Sequence, residues 1–406
     1  MPKIRVFYGW WIVLACAIIG GYGAGAFFYG FTAFVDPLID EFGWSHASIG
    51  FVASFRIVEL GVAAPIMGFM VDRWGPRKLM FVGGVLMGGG FILLSQINSL
   101  GTFFWAFVLI SLACSAAGSV VMMTAVAHWF RRRVSLAMGL LTAGFGLGGF
   151  MVPVVIWLID RYEWESALVV LGISTWCIIP TLALLVRHKP EQYGYRPDGD
   201  PHPLDPIENP GESQAGFKPR QVLKTRTFWQ LSLALTIQFA GINAVVLYVL
   251  DYLKESGINE GSAGWVVMFI PLLSVVGRLG FGWLGDLGNK KQVLAFTIVL
   301  QAIGLLLFCG APDWWALAVF LITFGPGYGG AISLRPAIQR EYFGVKAFGT
   351  IQGIIMGLMT LGGFAGPVFA GWIFDTRGNY ETAWLVFAGA AIAASILVMM
   401  IREPEG

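Results

Sequence analysis

Gly68-Phe69-Met70-Val71-Asp72-Arg73-Trp74-Gly75-Pro76-Arg77-Lys78 and Gly282-Trp283-Leu284-Gly285-Asp286-Leu287-Gly288-Asn289-Lys290-Lys291 are two versions of one pattern. Each sets a Gly four residues before an Asp, then a Gly, then paired cations, and each lies between two apolar runs. The copies stand about half the chain apart. A duplicated membrane protein is the first inference, because repeats arranged about a central cavity are a common plan for carriers.

Composition points the same way. Of 406 residues, 57% are hydrophobic and only 12% are charged, about half the charge of an ordinary soluble domain. Runs long enough to cross ~30 Å of hydrocarbon are expected at 8–34, 48–71, 78–98, 102–127, 134–159, 165–186, 227–252, 262–285, 291–311, 314–334, 347–373 and 380–401. The expected fold is all-α: twelve transmembrane helices in two pseudo-symmetric halves, 1–186 and 226–406, joined by 187–225. That connection carries Pro190, Pro197, Pro201, Pro203, Pro206, Pro210 and Pro219, so it reads as a linker with little fixed structure.

Charge placement orients the spans. With the N-terminus cytoplasmic, 21 of the 26 Lys and Arg fall on the inner side. These include Arg131, Arg132 and Arg133, and also Arg335 and Arg340, which lie beyond the expected end of the tenth span. Arg161, Lys254 and Arg377 are left outside, among Asp36, Asp40, Glu41, Asp160, Glu163 and Glu165. Such a bias predicts both termini inside a plasma (inner) membrane. The net charge of +2 then reports topology and gives no support for a nucleic-acid partner. Lys3 and Arg5 ahead of an apolar run resemble a secretory signal, but the run is too long, and it reads as an uncleaved first helix.

Several chemistries find no support. Cys16, Cys114, Cys177 and Cys309 sit in four different spans without metal or disulfide spacing, as packing thiols do. His46, His128, His188 and His202 lie near or beyond span ends. No Ser-His-Asp set or metal-ligand cluster is present, so neither an enzyme nor a cofactor is expected. The glycine strings 325–330 and 144–149 lack a strand–turn–helix setting and a following Lys-Ser/Thr, and read as helix crossings.

Two cations remain inside spans, Arg56 and Arg278. An isolated guanidinium in the hydrocarbon costs at least ~2.5 kcal/mol. Arg278 has Ser274 one turn before it and Gly282 one turn after, so its own helix offers no acid. A carboxylate arriving from solution matches both arms of the guanidinium. Arg56 and Glu59, three apart, share a helix face and are expected to pair, structurally or in proton coupling or gating. Asp251 and Lys254 repeat that spacing near an outer end. Asp72, with Gly68, Arg73 and Arg77, and its counterpart Asp286 read as a conformational latch. There the carboxylate pairs with a cation or caps a neighbouring helix N-terminus. With Leu287 in the Arg position, the second latch is expected to be weaker. Tyr22, Phe28, Tyr29, Ser115, Ser119, Phe145, Asn243 and Tyr328 fall near mid-span on helices expected to line a cavity. For each, packing and substrate contact both remain open.

Three segments carry a resemblance: Tyr8-Gly9-Trp10-Trp11, Trp129-Phe130-Arg131-Arg132-Arg133-Val134-Ser135-Leu136-Ala137-Met138-Gly139, and Gly277-Arg278-Leu279-Gly280-Phe281-Gly282. With the Asp72 loop, they resemble the monocarboxylate transporter family of the major facilitator superfamily, in the manner of a bacterial lactate transporter. The resemblance implies a major facilitator fold and alternating-access transport of lactate, pyruvate and related short acids, commonly in symport with a proton. The oxalate/formate exchangers are similar and share the helix-8 Arg, so an exchanger stays open, as does a non-transporting membrane sensor. Two departures stand out. Ser274 occupies the place of an Asp one turn before the Arg, and Tyr29 aligns with a first-helix Lys, so the family's usual proton-coupling groups are absent. The exchangers' second cation on helix 11 is also missing from 352–360. With Arg278 as the single cation, a monoanion is expected to be carried and oxalate or succinate refused.

Overall fold

The polar turns that separate the apolar runs carry the helix signals. Ser45 accepts the amide of Ser48 at 3.2 Å, Thr225 that of Phe228 and Asn259 that of Ser262, and Ser99 forms a reciprocal capping box with Thr102. Such caps satisfy amides that the first helical turn leaves without partners. The computed structural model describes residues 7–200, 216–309 and 313–402. Lys3, Arg5, Pro201, His202, Pro203, Pro206 and Pro210 lie outside the described residues.

We number the long helices α1 (Tyr8–Phe42), α2 (His46–Trp74), α3 (Pro76–Leu94) and α4 (Leu100–Trp129). The run Val134–Ala183 breaks at Glu163, whose φ of 66° and ψ of 161° leave helical space, giving α5 (134–162) and α6 (164–183). Then come α7 (Arg226–Glu255), α8 (Glu260–Leu287), α9 (Lys290–Phe308), α10 (Trp314–Phe343), α11 (Phe348–Arg377) and α12 (Glu381–Met399). All are apolar enough to cross a membrane, and the turn at Glu163 separates the fifth crossing from the sixth. No strand occurs among the described residues.

Three helices are interrupted. In α1 a widened π stretch, Ala24–Tyr29, passes into tight 3-10 turns over Gly30–Phe34. The α4 rod breaks at Ala117 and Gly118, and α5 tightens over Gly148–Met151. Insertions of this kind are common where a helix serves a site.

The chain separates into two compact units. The first holds the described residues of Met1–Arg132, Leu140–Gln214 and Ala347–Ile354; the second holds those of Arg133–Gly139, Ala215–Lys346 and Ile355–Gly406. Each unit therefore includes the opening turns of a helix, α11 or α5, whose remainder belongs to the other.

In the first unit α3 packs against α4 and against the 152–183 stretch. Phe27 and Phe31 of α1 meet Phe103 and Phe107 of α4. In the second, α10 packs against α8 and α9, and α12 against α7 and α9. A Cβ on Gly329 would lie 1.8 Å from the Ser274 carbonyl, so glycine lets α10 approach α8 directly. An aromatic core of Tyr252, Phe308, Phe320, Phe324, Tyr380 and Trp384 closes one end of this unit, with Phe308 stacked on Phe320 at 4.3 Å. Outward faces are apolar: Trp105, Phe150, Trp265, Trp315 and Phe364 are each about 60–70% exposed. A soluble protein would not leave such a surface bare.

The connection after α6 is more ordered than its prolines suggest. Residues 187–200 run through short 3-10 turns, Pro190–Tyr193 and Pro197–Gly199. The Arg187 guanidinium sits 4.1 Å from the ring centre of Tyr8 and 4.5 Å from that of Tyr193. Trp129 donates its indole N–H to the Arg187 carbonyl at 3.0 Å. Asp198 accepts the amides of Arg131 and Arg132 at 3.0 and 2.8 Å. Cation–π contacts and amide capping hold this stretch in place, although its only regular structure is two short 3-10 turns.

Candidate functional site

Two polar clusters lie within helices otherwise built from apolar side chains, one in each unit. The first centres on Glu59 of α2, 8% exposed. Ser111 and Ser115, one turn apart on α4, both donate their hydroxyls to its carboxylate, Ser115 at 3.3 Å. Arg56 does not join them. Its guanidinium turns to α1 and lies 4.3 Å from the centre of the Phe28 ring and 5.6 Å from that of Phe27. The expected Arg56–Glu59 pair is therefore corrected: three residues of helix leave a shared face, but the two side chains diverge to opposite neighbours. Hydroxyls stabilise the acid and aromatic faces stabilise the cation.

The second cluster belongs to α8, α10 and α11. Arg278 is 6% exposed and stands nine residues before the end of α8, about 13 Å along the axis. Ser274 is fully buried and donates to the Pro271 carbonyl of its own helix at 2.7 Å. On α10, Tyr328 and Arg335 are seven residues apart, hence on one face. Their helix packs directly against α8, which carries Arg278. The Nη1 of Arg335 points at the Met359 sulfur of α11, 3.5 Å away, and its Nε is enclosed without an acceptor.

Arg335 corrects the sequence reading, which ended the tenth span at residue 334 and set this Arg in a cytoplasmic loop. The helix continues to Phe343, so Arg335 lies about 12 Å inside its end. Its partner side chains face it from other helices, and only its seven-residue spacing from Tyr328 hinted at a shared face. Ser111 was missed for a similar reason. Its one signal was its position a turn ahead of Ser115.

The remaining candidates separate by surroundings. Tyr22 is buried, its hydroxyl bonded to the Leu171 carbonyl, Ser174 and Thr175 of α6 at 3.0, 2.7 and 3.1 Å; it ties α1 to α6. Phe145 packs on Gly20. Asn243 donates to the Phe239 carbonyl of its own helix at 2.9 Å. Tyr29 is 42% exposed, and Ser119 opens the helix that follows the break in α4. Asp251 does not pair with Lys254, whose ammonium instead meets Glu260 at 2.6 Å across the turn into α8. The Asp251–Lys254 pair is thus a second correction. Glu260 begins α8 and offers an acid at the right distance, while Asp251 points elsewhere.

Both repeat aspartates act as helix caps. Asp72 accepts the Gly349 amide at 2.9 Å, the Thr350 amide at 2.7 Å and the Thr350 hydroxyl at 2.6 Å. A Cβ on Gly68 would lie 2.1 Å from the Gly349 carbonyl, so glycine there lets the segment come within reach. Asp286 accepts the Ser135 and Leu136 amides at 2.8 and 2.9 Å. Each carboxylate meets the positive end of a helix dipole and two free amides. Arg73 and Arg77 are exposed. Beside the Gly75 turn, His188 packs edge-on to His128 at 5.3 Å. Burial, reinforced by the charge of Lys189, pushes its imidazole down to about 4, so it stays neutral near pH 7.

The comparisons agree with this architecture. The family model of the Major Facilitator Superfamily matches residues 13–286 and 231–406. Monocarboxylate transporter 13 of Bos taurus is 26% identical over 403 residues, covering 97% of this chain and 89% of that protein. Monocarboxylate transporter 4 of Rattus norvegicus is 24% identical, covering 97% and 83%. Among solved structures, a proton:xylose symporter aligns with a TM-score of 0.75 at 15% identity, covering 98% of this chain and 96% of that one. The E. coli fucose:proton symporter aligns at 0.72 and 14%, covering 97% and 98%. With its apolar helices, paired repeat motifs and full-length matches, the chain is similar to monocarboxylate transporters and belongs to the Major Facilitator Superfamily, a multi-pass membrane transporter and not an enzyme.

Proposed function

We propose that this protein carries small carboxylates across the plasma (inner) membrane together with a proton, with both termini cytoplasmic. The observation that carries the reading is Arg278: a guanidinium held about 13 Å inside a membrane-crossing helix and almost wholly removed from solvent. A permanent charge in that setting has a cost, which an arriving carboxylate offsets through two parallel N–H···O bonds. Tyr328, within the same cluster, supplies a hydroxyl. Acids of the lactate and pyruvate class follow from the names of the relatives. The two proton symporters of like fold support coupling to a proton, and Glu59 is the acid we assign to it.

The aspartate caps give the cycle its latch. A cap is a set of hydrogen bonds that releases without unfolding either helix, so alternating access proceeds as Asp72 and Asp286 let go of their amides and recapture them.

Counterflow of labelled lactate or pyruvate into proteoliposomes tests the reading. Arg278→Lys keeps the charge and loses the fork, so uptake should fall at least tenfold. Uptake within twofold of the unaltered protein removes Arg278 from the substrate site.

A further inference from the structure

We infer that Arg335 is a second anion-binding group beside Arg278, and that the site accepts a short dicarboxylate with one carboxylate on each guanidinium. This rests on the proposed role of Arg278 and extends it to substrate charge.

Arg335 and Arg278 stand at matching depths, about 12 and 13 Å from the ends of α10 and α8. The two helices that carry them pack directly on each other, with Gly329 against the Ser274 carbonyl. Two like charges in a poorly hydrated interior repel each other, and no carboxylate of the described residues lies within ion-pair distance of Arg335. Its Nη1 faces the thioether of Met359, and Tyr328 shares its helix face; neither carries a balancing charge. The Nε is enclosed with its hydrogen unused. Nor does Arg335 reach for the helix end, as a long side chain would if it served only to escape the hydrocarbon. A structural arginine in lipid is expected to bond carbonyls or acids. This one is kept beside another cation and points a polar edge at a sulfur.

One carboxylate neutralises one guanidinium. A dianion neutralises both and removes the repulsion, which a monoanion cannot do. The refusal of oxalate and succinate expected from a single-cation site is therefore reversed. Oxalate, malonate and succinate differ in the separation of their carboxylates, so their relative strengths read out the distance between the two guanidinium groups.

The test uses the full chain in proteoliposomes, with labelled pyruvate and labelled succinate assayed in parallel. Unlabelled oxalate, malonate and succinate serve as competitors. At least one dicarboxylate should compete as well as pyruvate at neutral pH. Arg335→Gln should raise the ratio of the dicarboxylate's inhibition constant to that of pyruvate at least tenfold, and Arg335→Lys should restore part of the difference. Thermal stabilisation of the purified protein by malonate gives a second readout that does not need turnover, and Arg335→Gln should abolish it. If pyruvate competes and no dicarboxylate does, the second anion site is wrong while the role of Arg278 stands. If Arg335→Gln weakens pyruvate and dicarboxylates equally, Arg335 is structural and the inference fails. If neither labelled acid is taken up or stabilises the protein, the reading of Arg278 falls and this one falls with it.

Discussion

Glu59 shows how a single side chain can be assigned a task by what surrounds it. Its carboxylate is buried, bonded to two hydroxyls, and unaccompanied by the arginine three residues earlier. Hydroxyls can donate to a carboxylate and accept from a carboxylic acid, so this site suits both protonation states, whereas a salt bridge would favour one. The usual proton-coupling groups implied by the family resemblance are replaced by Ser274 and Tyr29, which leaves Glu59 as the acid within the described clusters. Glu59→Gln mimics the protonated form and cannot cycle. Counterflow exchange should persist in this variant, while accumulation driven by an imposed proton gradient should fall from several-fold to no more than equilibrium. Gradient-driven accumulation at the level of the unaltered protein would show that the proton travels elsewhere. The sequence located Arg56 and Glu59 on one helix face but could not reveal that they diverge. That depends on Phe28 and Ser111, which belong to other helices.

Helix positions were legible because a run of about 20 apolar residues has few alternatives; helix ends and breaks were less so. A charged residue reads as the end of a span, which is why the sequence ends the tenth at residue 334 and puts Arg335 in a loop, although α10 continues to Phe343. Prolines read as disorder, which is why 187–225 reads as a linker with little fixed structure, although Trp129, Tyr8 and the Asp198 carboxylate hold 187–200. The turn between α5 and α6 was legible as a polar gap, but its conformation was not. Glu163 adopts φ 66° and ψ 161°, a region populated almost only by glycine, at a cost of about 1–3 kcal/mol. The side chain is exposed and offers no contact to offset that. Glu163→Gly should therefore raise the apparent Tm by a few degrees, a gain of about 1 kcal/mol after the greater chain entropy of glycine is subtracted. Glu163→Ala retains the Cβ and should give no such gain. Equal Tm values for the two variants would mean that the turn is not strained.

At the scale of the whole molecule, the duplication and the charge asymmetry belong together. The two Asp motifs fall in corresponding places of the two halves, and each aspartate now caps a helix with at least two amides. Lys and Arg gather at one set of turns, whereas Asp36, Asp40, Glu41 and Asp160 gather at the other. Insertion retains cationic turns on the cytoplasmic side, so the pattern supports the proposed direction, which helix packing alone leaves open. Asp40 lies in the last turn of α1 and Lys224 precedes α7, and both side chains are exposed, so each can be replaced by Cys with little disturbance to packing. In intact cells, an impermeant maleimide should label the Asp40→Cys protein at once. The Lys224→Cys protein should react only after the membrane is permeabilised. The native thiols form the background and are controlled by labelling the unaltered chain, in which Cys16 is buried, Cys114 and Cys309 are half-buried and Cys177 is exposed. Labelling of Lys224→Cys from outside, with Asp40→Cys protected, would invert the molecule. The Arg278 and Arg335 cluster would then lie near the outer ends of α8 and α10, and the direction assigned to proton-driven uptake would reverse with it.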